Sequence, residues 1–144
     1  MNKGTLILIC GLPGAGKTTL AKNLASERKA IRFCPDEWIL ALLKNQADSV
    51  ERSRLRDPVE QLLWKETQIL LKLGVTVILE NGFWVEKERS IYRDIGKNSG
   101  ARVEKRNSNP KEFQVTKKEL EDGYKIFQLP TEEESMSYDN FFSK

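Results

Sequence analysis

Residues 5–19 of the chain read TLILICGLPGAGKTT. Thr5 to Cys10 form an apolar run with β-branched residues, which predicts a strand buried on both faces, as in a parallel sheet. Gly11 to Thr18 then match G-x-x-x-x-G-K-[ST] at every fixed position, and a helical pattern follows at once. A strand, a glycine-rich turn and a helix in this order predict a phosphate-binding loop at the start of an α/β fold.

The residue types in this loop suit phosphate chemistry. Its backbone N–H groups can point inward at phosphate oxygens, and the N-terminus of the helix adds partial positive charge. Lys17 is expected to reach the β- and γ-phosphates, and the Thr18 hydroxyl to bind Mg²⁺. The residues predicted to bind the nucleotide phosphates are Gly11, Leu12, Pro13, Gly14, Ala15, Gly16, Lys17, Thr18 and Thr19. The alternative is a glycine-rich turn without function, which would have to match both motif and context by chance.

The rest of the chain alternates between strand and helix patterns. This alternation predicts a three-layer α/β/α fold around a parallel sheet. At 144 residues, a single domain over residues 1–144 is expected. Further strands are predicted at 31–34, 75–79 and from 101 to 104, with helices at 37–44, from Pro58 to 73, and at 86–99.

Two carboxylates follow predicted strands. The carboxyl ends of parallel strands share one edge of a sheet, so Asp36 and the glycine-rich loop should face one crevice. There Asp36 could accept the proton of a substrate hydroxyl that attacks the γ-phosphate; the alternative is a cap of the following helix. Glu80 ends the third strand and could hold Mg²⁺ through a water, or it could be a turn residue.

Several arginines are candidates for stabilising the charge of the moving phosphoryl group. Arg89 and Arg106 are the main candidates and Arg93 a further one; the alternative for each is a solvated surface residue. Three more arginines could bind an acidic substrate or form a solvated basic segment: Arg52, Arg54 and Arg56.

Composition excludes several classes of enzyme. The chain has no histidine, so a Ser-His-Asp triad or a histidine metal site is excluded. Its net charge of +3 does not indicate nucleic acid, although a nucleic-acid partner stays open. No apolar run is long enough for a bilayer, so we expect a cytoplasmic protein with no membrane partner, in which Cys10 and Cys34 are reduced thiols.

Further short motifs carry a resemblance to a known family. They are Pro35-Asp36-Glu37-Trp38, the segment LENGFW at 79–84, Glu88-Arg89 and Phe127-x-x-Pro130. With these, the chain resembles the small bacterial AAA-type ATP-binding proteins, which belong with the zeta-toxin, chloramphenicol phosphotransferase and polynucleotide 5′-kinase group of P-loop kinases. The resemblance implies strand order 2-3-1-4-5, ATP and Mg²⁺ as ligands, and phosphoryl transfer to a hydroxyl. It also implies a substrate-hydroxyl role for Asp36 and a place for Arg106 in a mobile lid.

The chain departs from this family between Glu104 and Thr116. Relatives complete the fourth strand there, then run through a loop and a helix before the Arg-Asn segment of the lid. Here only the 11 residues from Lys105 to Val115 are available. A crossover with its helix needs at least about 10–12 residues before any lid. We therefore expect a truncated region around strand 4, with a shortened strand and one helix missing.

These observations leave two main hypotheses. The first is a kinase that transfers the γ-phosphoryl group of ATP to a hydroxyl of a small molecule or a nucleic-acid end. The second is a nucleotide-binding module with little or no phosphotransfer, because its lid is shortened. A GTPase is disfavoured, since the chain has no Asn-Lys-x-Asp motif.

Overall fold

The computed structural model describes residues 3–11, 16–83, 85–107, 128 and 130–142, and of 140–142 only the backbone. All structural statements below refer to these residues.

Five parallel strands form one sheet. They are β1 (Thr5–Cys10), β2 (Ile31–Phe33), β3 (Val77–Gly82), β4 (Arg102–Asn107) and β5 (Asn140–Phe142). Their order across the sheet is β2-β3-β1-β4-β5, and every neighbouring pair is parallel. The predicted strand order is confirmed, and the first strand lies at the centre of the sheet.

Helices cover both faces of this sheet, which confirms the α/β/α class. The described helices are α1 (Lys17–Arg28), α2 (Pro35–Leu42), α3 (Ser49–Lys72), α4 (Glu86–Asn98) and α5 (Glu132–Ser135). None of them is both long and apolar enough to cross a membrane.

The central strand supplies both halves of the core because its side chains alternate between the two faces. Leu6 and Leu8 pack with Trp64 of α3, while Ile7 and Ile9 pack against α1. All four strand residues are fully buried. The strand is thus buried on both faces, as its apolar run predicted.

Helix α3 begins nine residues before the predicted start at Pro58. The side chain of Asp48 caps it by accepting a hydrogen bond from the N–H of Glu51, and Pro58 lies inside the helix. A proline there removes one backbone donor, but Pro58 is exposed, so the carbonyl that loses its helical partner can be solvated. As a result, Arg52, Arg54 and Arg56 lie on a helix and not on a loop.

Strand β4 differs from the expectation of a shortened strand. It has six residues and pairs with β1 along its whole length, so the strand itself is not shortened. The segment in which a helix was expected to be missing continues into residues 108–127, which lie outside the described residues. Lys105 and Arg106 belong to the strand, whereas the sequence analysis placed them in the segment that follows it. Glu104 and Lys105 are consequently buried, and burial lowers the pKa of Lys105 to about 8. Thr116 and Phe127 of the sequence analysis lie outside the described residues.

Candidate active site

The two described ends of the glycine-rich loop are fixed by backbone geometry. The N–H of Gly11 donates to the carbonyl of Gly82 at 3.0 Å, which joins the loop to the end of β3. Gly16 has φ 80° and stands immediately before α1. This left-handed conformation favours glycine and turns the chain into the helix. Leu12 to Ala15 of the predicted loop lie outside the described residues.

Lys17 is the first residue of α1 and faces two carboxylates. Burial lowers the pKa of its ammonium group, and the charges of Asp36 and Glu80 oppose that shift. The three residues come from α1, α2 and β3, so the predicted convergence on one edge of the sheet is present. A partly desolvated cation beside carboxylates suits a site for phosphate and its counter-ion.

The predicted metal ligands are in contact with each other. The Thr18 hydroxyl donates to Oε1 of Glu80, and Glu80 is almost fully buried. A hydroxyl and a carboxylate are hard oxygen donors, and Mg²⁺ bound to proteins usually keeps several waters as further ligands. The two residues therefore fit a Mg²⁺ site. Thr19, also assigned to nucleotide binding, lies exposed in the same helical turn.

Arg32 holds Glu80 in place and was not singled out in the sequence. Its Nη1 lies 2.6 Å from Oε2 of Glu80, and its Nη2 lies 2.6 Å from Oε2 of Glu37. Only 14% of its side chain is exposed. An arginine in the middle of a short predicted strand was the available signal, because a partly buried charge needs a partner.

Asp36 lies in the first turn of α2 and does not cap it. The residue before the helix is Cys34, and no side chain caps this N-terminus. The carboxylate of Asp36 instead accepts a hydrogen bond from Nη2 of Arg56, which α3 brings across from 20 positions further along the chain. Asp36 is more than half exposed, so a substrate can reach it. Arg56 thus orients Asp36, a role that its place among three arginines did not indicate.

Two half-buried carboxyl groups flank this pair. Glu60, one turn after Arg56 in α3, lies 3.7 Å from its guanidinium, and Glu88 of α4 is a charged neighbour of Glu60. Burial, and then the charge of Glu88, raise the pKa of Glu60 from 4.5 to about 7, with Asp57 and Asp36 adding to the shift and Arg56 opposing it. Burial likewise raises the pKa of Glu88.

The raised pKa of Glu60 predicts a specific dependence of stability on pH. The folded chain holds a proton at Glu60 that the unfolded chain releases near pH 4.5, so Glu60 destabilises the fold as the pH rises from about 5 to above 7. Glu60→Gln should therefore be more stable than the wild type by about 1–2 kcal/mol at pH 8, and nearly equal to it at pH 5. Urea unfolding at both pH values measures this difference.

The matched control is Glu66→Gln, an exposed residue on the same helix. It should leave the free energy of unfolding unchanged at both pH values. A difference between Glu60→Gln and wild type that is the same at pH 5 and pH 8 would contradict the prediction.

The placement of Arg89 does not support the predicted contact with phosphate. Its side chain is fully buried and forms an ion pair with Glu134, with Nε 2.6 Å from Oε1. Its Nη1 also donates to the carbonyl of Phe83 at 2.7 Å. Because these contacts hold the guanidinium inside the protein, Arg89 joins α4 to α5 and does not face the crevice.

Arg106 and Arg93 also take other positions than predicted. Arg106 lies in β4 opposite Ile9, and its guanidinium is 3.5 Å from Glu104. It belongs to the sheet and not to a lid. Arg93 binds Asp94 and the hydroxyl of Ser137, on the outer part of α4. Thr131 caps α5, since its hydroxyl accepts from the N–H of Glu134.

A protein-family model with the description "AAA domain" matches residues 6–130 of the chain. This match extends from β1 past the glycine-rich loop, Asp36 and Glu80 to the segment before α5. The chain belongs to the AAA domain family. The resemblance inferred from its motifs is thereby confirmed at the level of the family.

Relatives of this AAA domain carry the names of kinases. A protein of Aeropyrum pernix named "Probable adenylyl-sulfate kinase" is 28% identical over 104 residues, which cover 69% of this chain and 56% of the relative. The AAA domain thus spans little more than half the length of that relative.

Solved structures confirm the P-loop kinase fold. Kti12 of Chaetomium thermophilum, in complex with ADP-AlF3, aligns with TM-score 0.67 and 16% identity over 96% of this chain and 88% of that chain. The APS kinase CysC of Mycobacterium tuberculosis, in complex with AMPPNP and APS, aligns with TM-score 0.61 and 14% identity over 99% and 90%. At these identities the likeness concerns the fold.

Proposed function

We propose that this AAA domain is an ATP-dependent phosphotransferase that moves the γ-phosphoryl group of ATP to a hydroxyl-bearing acceptor. The observation that carries the proposal is the convergence of Lys17, Asp36 and Glu80 on one edge of the sheet. Nucleotide analogues in the related structures support ATP as the donor.

Each residue has one role in the proposed reaction. Lys17 binds the transferred phosphate, while Thr18 and Glu80 would hold Mg²⁺, which supplies charge neutralisation on the phosphates when bound. Asp36 accepts the proton of the acceptor hydroxyl as its oxygen forms a bond to phosphorus. The bond between the γ-phosphorus and the bridging oxygen breaks, and ADP leaves. Arg56 keeps the Asp36 carboxylate oriented.

We place this activity in the cytoplasm. Cys10 and Cys34 are both buried thiols, which agrees with a reducing compartment.

A nucleotide-binding module without efficient turnover is the second candidate function. It is favoured by the positions of Arg89 and Arg106, since neither faces the proposed phosphate site. Phosphoryl transfer depends strongly on a positive charge that stabilises the transition state. A module that binds ATP without transferring its phosphate would fit a site that these two arginines do not reach.

Nucleotide binding is tested by a thermal shift. ATP with Mg²⁺ at about 100 times its Kd should stabilise the wild type by about 2.7 kcal/mol, which corresponds to a rise in Tm of roughly 5–10 °C. Lys17→Ala should remove this rise, because the ammonium contact to the phosphates is lost.

Lys22→Ala, an exposed lysine of the same helix, is the control and should keep the full rise in Tm. A Lys17→Ala variant that still shows it would contradict the assigned role of Lys17. A rise in Tm without product formation from any hydroxyl compound would favour the module.

A further inference from the structure

The carboxylate of Glu80, which fits a Mg²⁺ site together with Thr18, uses both of its oxygens in contacts within the chain. Oε1 accepts a hydrogen bond from the Thr18 hydroxyl, and Oε2 lies 2.6 Å from Nη1 of Arg32. Only 3% of the Glu80 side chain is exposed. A buried carboxylate is costly unless its charge is paired, so Arg32 determines the charge with which Glu80 meets a ligand.

The position of Arg32 follows from the register of the parallel strands. Arg32 of β2 pairs with Ile78 of β3, and Glu80 follows Ile78 by two positions. Side chains two positions apart along a strand lie on the same face of a sheet. Ile78 packs with residues of α1, so this is the face that α1 covers, and Thr18 lies in the first turn of that helix. Strand pairing therefore places Arg32 beside the proposed phosphate site.

Arg32 holds a second carboxylate at the same time. Its Nη2 lies 2.8 Å from Oε1 and 2.6 Å from Oε2 of Glu37. Glu37 is about half exposed and lies in the first turn of α2, directly after Asp36. A guanidinium offers its donors in a rigid planar fork, which suits the holding of two carboxylates at once. Arg32 thus connects the proposed metal ligand Glu80 to the helix that carries the proposed base.

The negative charge of Glu80 is compensated before any ligand binds. Arg32 lies 2.6 Å from it, and the charge of Lys17 also acts on it. A divalent cation that arrives alone would gain little from a compensated carboxylate and would be repelled by both cations. Within the described part of the chain, no group of three or more Cys, Asp or Glu side chains offers it another site. A cation that arrives with the phosphates of ATP brings negative charge with it, which removes this repulsion.

We propose that Arg32 is a positioning residue of the nucleotide site, which holds the Glu80 carboxylate and cancels its charge, so that a divalent cation binds at Thr18 and Glu80 only together with the phosphates of ATP. This inference rests on the proposed binding of ATP and Mg²⁺ and not on the transfer step. Because Arg32 occupies Oε2, Oε1 is the oxygen left for the cation or one of its waters. Without Arg32, Glu80 would attract a free cation and repel phosphates that arrive without one.

The first test compares the affinity for ATP with and without a divalent cation. Calorimetry gives the Kd for ATP in excess Mg²⁺ and in EDTA, and the quantity compared between variants is the ratio of the Kd in EDTA to the Kd in Mg²⁺. Arg32→Gln keeps a hydrogen-bond donor but loses the charge, so this ratio should rise about tenfold. Arg32→Lys keeps the charge, and its ratio should stay within about threefold of the wild type.

The second test needs no nucleotide. Mn²⁺ prefers the same oxygen ligands as Mg²⁺, and its binding removes the electron paramagnetic resonance signal of the free ion. Arg32→Gln should bind Mn²⁺ at least about tenfold more tightly than the wild type, because Glu80 is then an uncompensated carboxylate. The combination of Arg32→Gln with Glu80→Gln should lose this gain.

Arg28→Gln is the matched control. Arg28 also pairs with a buried glutamate of the sheet, Glu104, at 3.0 Å, but it lies in the last turn of α1, at the opposite end of the helix from Thr18. It should change neither the ratio of the Kd values nor the binding of Mn²⁺.

Glu37→Gln covers the case in which Arg32→Gln does not fold, because it changes a half-exposed side chain. It removes one of the two carboxylates that share the charge of Arg32. The site then attracts phosphates better in the absence of a cation, and the ratio of the Kd values should fall by about threefold.

The outcomes separate this inference from the function on which it rests. If Arg32 only joined β2 to its neighbours, its loss would weaken ATP binding equally in Mg²⁺ and in EDTA. An unchanged ratio in Arg32→Gln, or Mn²⁺ binding no tighter than in the wild type, therefore overturns the inference. If Arg32→Gln does not fold, an unchanged or raised ratio in Glu37→Gln overturns it. A wild type that binds ATP in neither buffer overturns the proposed nucleotide site, and the inference with it.

Discussion

Asp36→Asn is expected to lower kcat for phosphoryl transfer by about 10²–10⁴-fold while ATP binding is kept. Asparagine has nearly the same shape and can still receive a hydrogen bond from Arg56, so the fold and the nucleotide site should persist. It cannot take up the proton of the acceptor hydroxyl. Steady-state kinetics with a phosphorylated acceptor, together with the ATP-induced rise in Tm, measure both properties on the same variant.

Asp94→Asn is the matched control for this variant. Asp94 is an exposed carboxylate of α4 that binds Arg93 and takes no part in the proposed site. It should retain wild-type kcat. Full activity in Asp36→Asn would remove Asp36 from the chemistry, whereas loss of the ATP-induced rise in Tm would show that Asp36 acts on nucleotide binding.

Arg89→Met is expected to lower the free energy of unfolding by about 3–5 kcal/mol. The ion pair between Arg89 and Glu134 is buried on both sides, with 0% and 2% of the side chains exposed. Methionine leaves the buried carboxylate of Glu134 without its ion-pair partner, and it removes the guanidinium hydrogen bond to the carbonyl of Phe83, which also accepts from the thiol of Cys10. Chemical denaturation at pH 7 measures the loss.

A second variant shows whether the uncompensated charge is the cause. Arg89→Met combined with Glu134→Gln should recover part of the lost stability, because the buried side chain that lost its guanidinium partner is then neutral. Arg54→Met, whose side chain is 65% exposed in its pair with Glu51, should cost less than about 1 kcal/mol. If the single and double variants lost the same free energy of unfolding, lost packing and not the unpaired charge would be the cause.

The nucleotide-binding half of the site could be predicted from the sequence because it depends on local patterns. The motif from Gly11 to Thr18 specifies its own turn and the helix that follows. Asp36 and Glu80 were predicted correctly as neighbours of that loop, since parallel strands end at one edge of a sheet. Lys17, at the end of that loop, interacts with the charges of both.

The partners of the charged side chains could not be predicted in the same way. Arg89 and Glu134 are 45 positions apart, and Arg56 and Asp36 are 20 apart. Nothing in a local pattern says which arginine α4 turns inward and which it leaves at the surface. Arg89 was therefore assigned to phosphate and Arg56 to a basic loop, and both assignments changed once the helices were packed.

In strand β4, too, one feature could be predicted from the sequence and another could not. Its start after Gly100 was correctly expected, but its length was not, because Lys105 and Arg106 are poor strand-core residues by type. They complete the strand since β1 offers a full row of backbone partners from Thr5 to Cys10. Pairing along a central strand satisfies N–H and C=O groups that would otherwise be buried without partners.

The sequence by itself determined the family and predicted the phosphate-binding loop and the two carboxylates beside it, because these follow from local motifs and from the shared edge at which parallel strands end. The strand order followed from the resemblance to the family. Only the tertiary structure decided which partners the charged side chains have, such as Glu60 beside Arg56 and Glu134 beside Arg89, and how far β4 extends. These features depend on contacts between distant segments, and the energies of such contacts are set by burial and charge pairing in the packed protein.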